Sequence, residues 1–448
     1  MRQAARKSVT SVLAGAMLMA LLMAVFFFGS ACQDRPEEKQ PLAETEQEKA
    51  KKSPSPVKAP EEKTASQAAG KEDKKPGEAD RSRPEEPDEG PSAVFMQDLP
   101  EIPPKPELQK SSNFSMVYTT DVAGELEDCG CPGHPRGGLA RRVEYVQKQK
   151  EKGPVLQVDA GNVFFPYRGN NPRIGKRQKR RARVLAKAMS HIGVHAVNVG
   201  YQDIQASVEF LKDDLARPEG MDPLPVISAN LYDAETGKRL FPPYRVVNVG
   251  GVQVGILGLL ETGSVRTKSL EVKDHQKAAA ALVPYLKERC DLTVVLFAGN
   301  FRDLTDLVGK VEGVDIAVVS SRSSKTTKRP FVVKDSLLLK SGKQGMYVGK
   351  LDLTVHREAP EKMTEEERAR LQEKLDKLRA QQKLLSGPVM SDKNLRRERT
   401  RLRKEINKIS DKLRSSISKL DYKNHIVSME MDLPRDEKTK KWMEQAIK

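Results

Sequence analysis

From Phe114 to Val355 short β-branched runs alternate with amphipathic stretches, and this alternation restricts the chain to a layered α/β fold. FSMVYTT (114–120), VLQVDAG (155–161), LPVISANL (224–231), LTVVLFAG (292–299) and VDIAVVS (314–320) mostly end in small or polar residues, as strands entering loops do. Between them lie GLARRVEYVQKQKEK (138–152), GKRQKRRARVLAKAMSHIG (175–193), ASVEFLKDDLAR (206–217) and QKAAAALVPYLKERC (276–290), whose apolar residues recur at helical spacing. Two strand pairs, at 244–259 and 336–356, have no helix between them. The expectation is therefore mixed sheets, not one parallel sheet.

The flanks differ. Arg2, Arg6 and Lys7 precede an apolar run from Val12 to Phe28 and the small residues Gly29-Ser30-Ala31 before Cys32, so residues 1–31 read as an export signal. This resembles a bacterial lipobox, with Gly29 where Leu is usual, and implies acylation of Cys32. An uncleaved transmembrane anchor is the alternative. Either places the rest outside the cytoplasm, facing the periplasm in a Gram-negative cell. Residues 32–110 are rich in Glu, Lys, Pro and Ser and predict a disordered tether with an r.m.s. span on the order of 50 Å. A hydrophobic fraction of 38% with 31% charged residues agrees with much of the chain lying outside a core. After the α/β region (111–357), residues 358–421 turn helical: Thr364 and Glu367 form a capping-box pattern, Leu371, Leu375, Leu378 and Leu385 make one stripe, and Leu395, Leu402, Ile406, Ile409, Leu413 and Leu420 another. With SGP (386–388) between them, they predict an antiparallel coiled-coil hairpin that projects as an arm. Residues 422–448 then supply a closing strand and helix.

The net charge of +16 raises nucleic acid as a partner. The densest clusters, KRQKRRAR (176–183) and LRRERTRLRK (395–404), carry no interleaved aromatics and no nucleic-acid motif, so solvated helix faces are expected and no nucleic-acid partner. The expected partners are the membrane, through the lipid, and a protein docking on the hairpin, for which a redox protein is one option. No C-x-x-C-H site exists for covalent haem.

Several motifs in order resemble the 5′-nucleotidase (UshA-like) branch of the metallophosphoesterases over roughly residues 114–356: Thr119-Thr120-Asp121-Val122-Ala123-Gly124, Gly137 to Arg141, Asp159-Ala160-Gly161-Asn162, Ser228-Ala229-Asn230 and Gly251 to Leu259. The resemblance implies a four-layer αββα sandwich of mixed sheets and metal-dependent phosphoester hydrolysis, with divalent metal candidates at Asp121, Asp159, Asn162 and Asp203. The family's metal-binding side chains are nevertheless mostly replaced. Ala123 stands at the first histidine position and Asn162 at the bridging aspartate; Gly200-Tyr201-Gln202-Asp203 replaces G-N-H-E. Ala298 and serines near Ser321 and Ser323 occupy later histidine positions. A two-metal hydrolase needs hard oxygen and imidazole ligands, and alanine supplies none. The expected domain is thus weakly active or non-catalytic and binds a ligand or partner in the former cleft.

The loop DVAGELEDCGCPGHPRGGLARR (121–142) resembles a Cys-Gly-Cys lipoprotein subgroup of that branch. Cys129, Cys131 and His134 leave three readings open: a structural cysteine pair, a redox pair whose thiolate is favoured by Arg141 or Arg142, or a metal site. Cys290, at the start of its strand, is expected to be a buried thiol at the opposite end of the sheet. Three functions are accordingly carried forward: residual phosphoester hydrolase, thiol-redox or electron-transfer accessory, and non-catalytic binding protein.

Overall fold

The computed structural model describes residues 93–107, 109–130, 133–167, 174–265, 267–323, 325–358, 363–385, 393–417 and 419–447. The export segment, Cys32, most of the tether, Cys131 and the SGP breaker lie outside them. Fourteen strands are described: β1 Ser111–Thr119, β2 Val155–Asp159, β3 Ala196–Asn198, β4 Val226–Ile227, β5 Leu231–Asp233, β6 Tyr244–Val249, β7 Val252–Leu260, β8 Leu270–Val272, β9 Leu292–Ala298, β10 Ile316–Ser320, β11 Phe331–Val333, β12 Ser336–Leu339, β13 Tyr347–His356 and β14 Leu420–Ser428. The helices are α1 Leu139–Lys150, α2 Lys176–His191, α3 His275–Arg289, α4 Phe301–Lys310, α5 Glu365–Leu384, α6 Lys393–Ile417 and α7 Glu437–Ile447. The 206–217 stretch, expected as a helix, contains the π-helical segment Phe210–Leu215.

One sheet runs β14-β13-β1-β2-β3-β4 and the other β11-β12-β10-β9-β7-β6, each with parallel and antiparallel pairs. Side-chain alternation along each strand builds the layers. In β9, Val294 and Leu296 join Met116, Leu156 and Ile256 in the core between the sheets, while Val295 and Phe297 turn outward to meet Leu282 and Leu304 from α3 and α4. Val117 of β1 faces the opposite way, into the core under α1 and α2 with Val143 and Leu185. The order is helix, sheet, sheet, helix. Strands covered on both faces read as continuous apolar runs, which is why all nine residues of β7 are buried. The ring of Tyr118 lies across Gly349 on the neighbouring β13, where a Cβ would fall 2.0 Å from it.

Three expectations change. The two strands of 336–356 do not pair with each other: β12 pairs with β10 and β11, whereas β13 crosses to the other sheet beside β1. The crossing segment carries Gly342, Gln344 and Gly345 at positive φ, which turns the chain between layers. Ordered structure also begins earlier than Ser111. Residues 93–96 form a 3₁₀ turn that buries Phe95 beside Tyr232 and Tyr244; Arg239 donates to the carbonyls of Phe95 and Gln97 at 2.7 and 2.9 Å, and Lys105 pairs with Asp291 at 2.8 Å. The last part of the segment read as tether is therefore a strap across the second sheet. In the arm, Thr364 Oγ1 accepts from Glu367 N at 3.2 Å, but Glu367 pairs with Lys412 instead of completing the box. Lys374 meets Glu405, so the two helices run antiparallel around Leu375, Leu378, Leu402 and Ile406. No helix among the described residues is long and apolar enough to cross a membrane.

Candidate functional site

Loops at the C-terminal ends of β1, β2, β3, β10 and β12 converge where the sheets meet, the usual place for a site in such folds. The β1 and β2 loops are laced by Ala123 N to Asn162 O (2.9 Å) and Gly124 N to Val163 O (2.7 Å). Asp121, Ala123 and Asn162 all have φ between 53° and 58°, a left-handed conformation that costs a residue with a Cβ roughly 1–2 kcal/mol. The backbone of the opening motif is held even where its side chain is alanine.

Asp121 is fully buried at the centre. Its Oδ1 accepts from Tyr167 Oη, from Ser320 Oγ at 3.1 Å and from Asn162 Nδ2 at 3.3 Å. Its Oδ2 faces Lys340 Nζ at 3.1 Å. Lys340, just beyond β12 and only 3% exposed, also donates to the carbonyl and the hydroxyl of Ser321. Burial raises the Asp121 carboxyl and lowers the Lys340 ammonium, and each charge is the largest opposing influence on the other. Arg322 lies over the Tyr167 ring at 4.7 Å and covers this pair from outside.

The other sequence candidates have different tasks. Asn162 links Asp121 to the β3 loop, its Oδ1 accepting from Gln202 N at 3.1 Å. Gly200 permits that approach, since a Cβ there would come within 2.3 Å of Asn162. Asp203 accepts four backbone N–H bonds, from Asn162, Gly200, Val163 and Phe164, at 2.7–2.9 Å. Asp159 accepts from Thr119 Oγ1 and from Gly161 N at 2.8 Å. Burial pushes the Asp159 carboxyl up to about 7, opposed first by the Thr119 hydroxyl and then by Gly161 N–H, and Asp203 up to about 6, opposed by its four backbone donors.

A pH dependence follows. Between pH 4 and 7 the folded chain retains protons that unfolded aspartates have released, so this contribution to stability is full at the acid end and lost as pH rises. The loss is about 1.4 kcal/mol per pH unit for each carboxyl that only the folded chain keeps protonated. Asp159→Asn should flatten that slope, measured as the change in urea midpoint between about pH 4.5 and 7.5. An unchanged slope would remove Asp159 as its source.

Sequence reasoning missed Lys340, Tyr167 and Ser320. It expected Ser321 and Ser323 at the last ligand positions, but Ser320 reaches Asp121 and Ser321 serves Lys340. The available signal was a lysine ending the apolar run SLLLK. Around the cysteine loop one expected neighbour changes. Glu125 and Glu127 pair with Arg181, at 3.5 and 3.2 Å, and His134 is exposed. The guanidinium beside Cys129 belongs to Arg136, whose backbone N–H lies 3.4 Å from Cys129 Sγ, and not to Arg141 or Arg142. Cys131 lies outside the described residues. Cys290 is buried, with its thiol pushed up to about 11 by burial.

No family model matches the chain. It is 28% identical to a 5′-nucleotidase of Rattus norvegicus over 232 residues, covering 47% of this chain and 38% of the relative. It is 26% identical to a 5′-nucleotidase of Vibrio parahaemolyticus over 182 residues, covering 39% and 31%. Over this stretch the chain is similar to 5′-nucleotidases, a branch of the metallophosphoesterases. The match spans only about a third of the length of these curated relatives. The solved 5′-nucleotidase precursor of Thermus thermophilus shares the fold with a TM-score of 0.51 and 20% identity over 75% of this chain and 58% of that one. A sulfate thiohydrolase of the same organism does so at 0.52 and 14%, over 76% and 61%.

The residues at this site do not fit the pair of dications that the resemblance implies. Both Asp121 oxygens are engaged, one by an ammonium; Asp203 and Asp159 are turned to backbone N–H groups; Ala123 and Ala298 carry no donor. The Gln202 amide, fully buried, meets no protein partner among the described residues, but a neutral amide is a weak ligand for a dication. Among those residues no group of three His, Cys, Asp or Glu side chains is placed to hold a metal.

Proposed function

We propose that this chain is a membrane-anchored extracytoplasmic binding protein built on a 5′-nucleotidase-like domain that no longer hydrolyses phosphoesters. The observation that carries this reading is the Lys340–Asp121 pair: a fixed internal cation is bonded to the one metal-ligand position whose aspartate is unchanged. Water activation by two metals requires open coordination positions, and here the inner positions are filled by side chains of the chain itself. What remains accessible is the mouth of the cleft around Ser321, Ser323 and the arm. Export and acylation at Cys32 rest on the N-terminal sequence and complete the proposal.

Metal analysis of the full chain after equilibration with Mn²⁺ and Zn²⁺, with assays on bis(p-nitrophenyl) phosphate and on 5′-AMP, tests it. The expected result is substoichiometric metal and no turnover above an Asp121→Ala control. Two bound ions per chain with turnover that Asp121→Ala abolishes would overturn the reading.

A further inference from the structure

A groove of about 1900 Å³ separates the arm from the second sheet and runs inward to Ser321 and Lys340. That is about twice the upper size of an ordinary small-molecule pocket. Its described lining carries eleven Lys and Arg side chains against two Asp. Lys325, Lys328, Arg329 and Lys334 stand on the body side, and Arg379, Arg403, Lys404 and Lys408 face them from the arm. Two walls of one sign repel across the gap, which favours an anionic occupant lying between them.

Two features select the kind of anion. The body wall includes β11, the outermost strand of its sheet, paired with β12 on one side and with no strand on the other among the described residues. An edge strand presents backbone N–H and C=O groups in the pattern that another extended polypeptide matches. Apolar side chains accompany it: Phe331 is 51% exposed and packs edge-on against Phe301. The wall beside the strand is also fixed in advance. Tyr118, in the core, donates to Asn424 Oδ1 at 2.8 Å, and Asn424 Nδ2 donates to the carbonyls of Thr327 and Lys328.

We infer that the groove receives an extended acidic segment of a partner protein, its carboxylates between the two basic walls and its backbone added to the free edge of β11. This deepens the binding reading above by naming the partner's chemistry, and a phosphoesterase assay tests that reading separately.

Fluorescence anisotropy of the full chain with a labelled dodecapeptide of alternating Glu and Val is the test. Saturable binding is expected, weakening roughly tenfold between about 50 and about 300 mM salt. Arg403→Glu with Lys404→Glu should weaken it at least about tenfold, since charge reversal adds repulsion to lost attraction. Val332→Pro, at an edge position that tolerates proline, should weaken the peptide and leave binding of a thymidine dodecanucleotide unchanged. Circular dichroism checks that each variant folds. Tighter binding of the oligonucleotide or of phosphatidylglycerol vesicles, peptide affinity indifferent to these substitutions, or no binding of any probe would each overturn the inference.

Discussion

Lys340→Met is expected to cost the folded domain about 3–5 kcal/mol, because it strips the ammonium from a carboxylate that has no water to fall back on. Methionine fills nearly the same space, so packing loss is small and electrostatics carries the effect. The deficit should depend on pH with a definite sign. Without Lys340 the Asp121 carboxyl, already raised by burial, rises further. The folded variant then keeps a proton that the unfolded chain loses near pH 4, and its stability falls as pH increases. The shortfall against wild type is therefore larger at pH 8 than at pH 5. Asp121→Asn in the same chain removes the uncompensated charge while leaving an oxygen for Ser320 and Asn162. Replacing both partners of a buried pair is often close to neutral, so the double variant should recover most of the loss. Urea unfolding of the four proteins closes the cycle. A single-variant cost below about 1 kcal/mol, or a double variant no better than Lys340→Met, would mean that the ammonium is not what satisfies Asp121.

This pair also marks where sequence reasoning ended. Layer order and strand positions were legible because periodicity is local: β-branched runs such as LTVVLFA become β9 wherever both faces are covered. The departures from the family's motifs at Ala123 and Asn162 were legible, since each lies within a short motif. Lys340 could not be assigned that way, because it belongs to no motif and its partner is 219 residues distant. Which lysine is buried depends on the crossing from β12 to β13, and reading 336–356 as a strand pair hid that crossing. The strap at 93–105 was missed for a related reason. Its apolar residues, AVFM with Leu99 and Ile102, show no strand or helix period, and its further anchors are side chains bonded to its carbonyls: Arg239, Tyr244 and Gln253. Backbone acceptors leave no trace in composition.

Asp203→Ala should be at least as damaging, about 4 kcal/mol or more, although the sequence offered the residue as a metal candidate. Four backbone N–H groups from two loops converge on its carboxylate. Each buried donor left without an acceptor costs about 1–3 kcal/mol, and the 162–164 and 200–203 backbones have few other ties to one another. Asp203→Asn should recover part of the loss. Its remaining oxygen serves one pair of donors, while its amide N–H₂ faces the other pair and repels it. The readout that separates this from general destabilisation is amide hydrogen exchange. Asn162, Val163, Phe164 and Gly200 should lose protection first in Asp203→Asn, while β9 and β10 keep theirs. A loss in Asp203→Ala confined to about 1 kcal/mol, with those four amides still protected, would return the residue to the candidate ligands. The expected outcome follows from the geometry: the Asp203 carboxylate is the acceptor that joins the 162–164 and 200–203 backbones, and it holds the shape of the site by doing so.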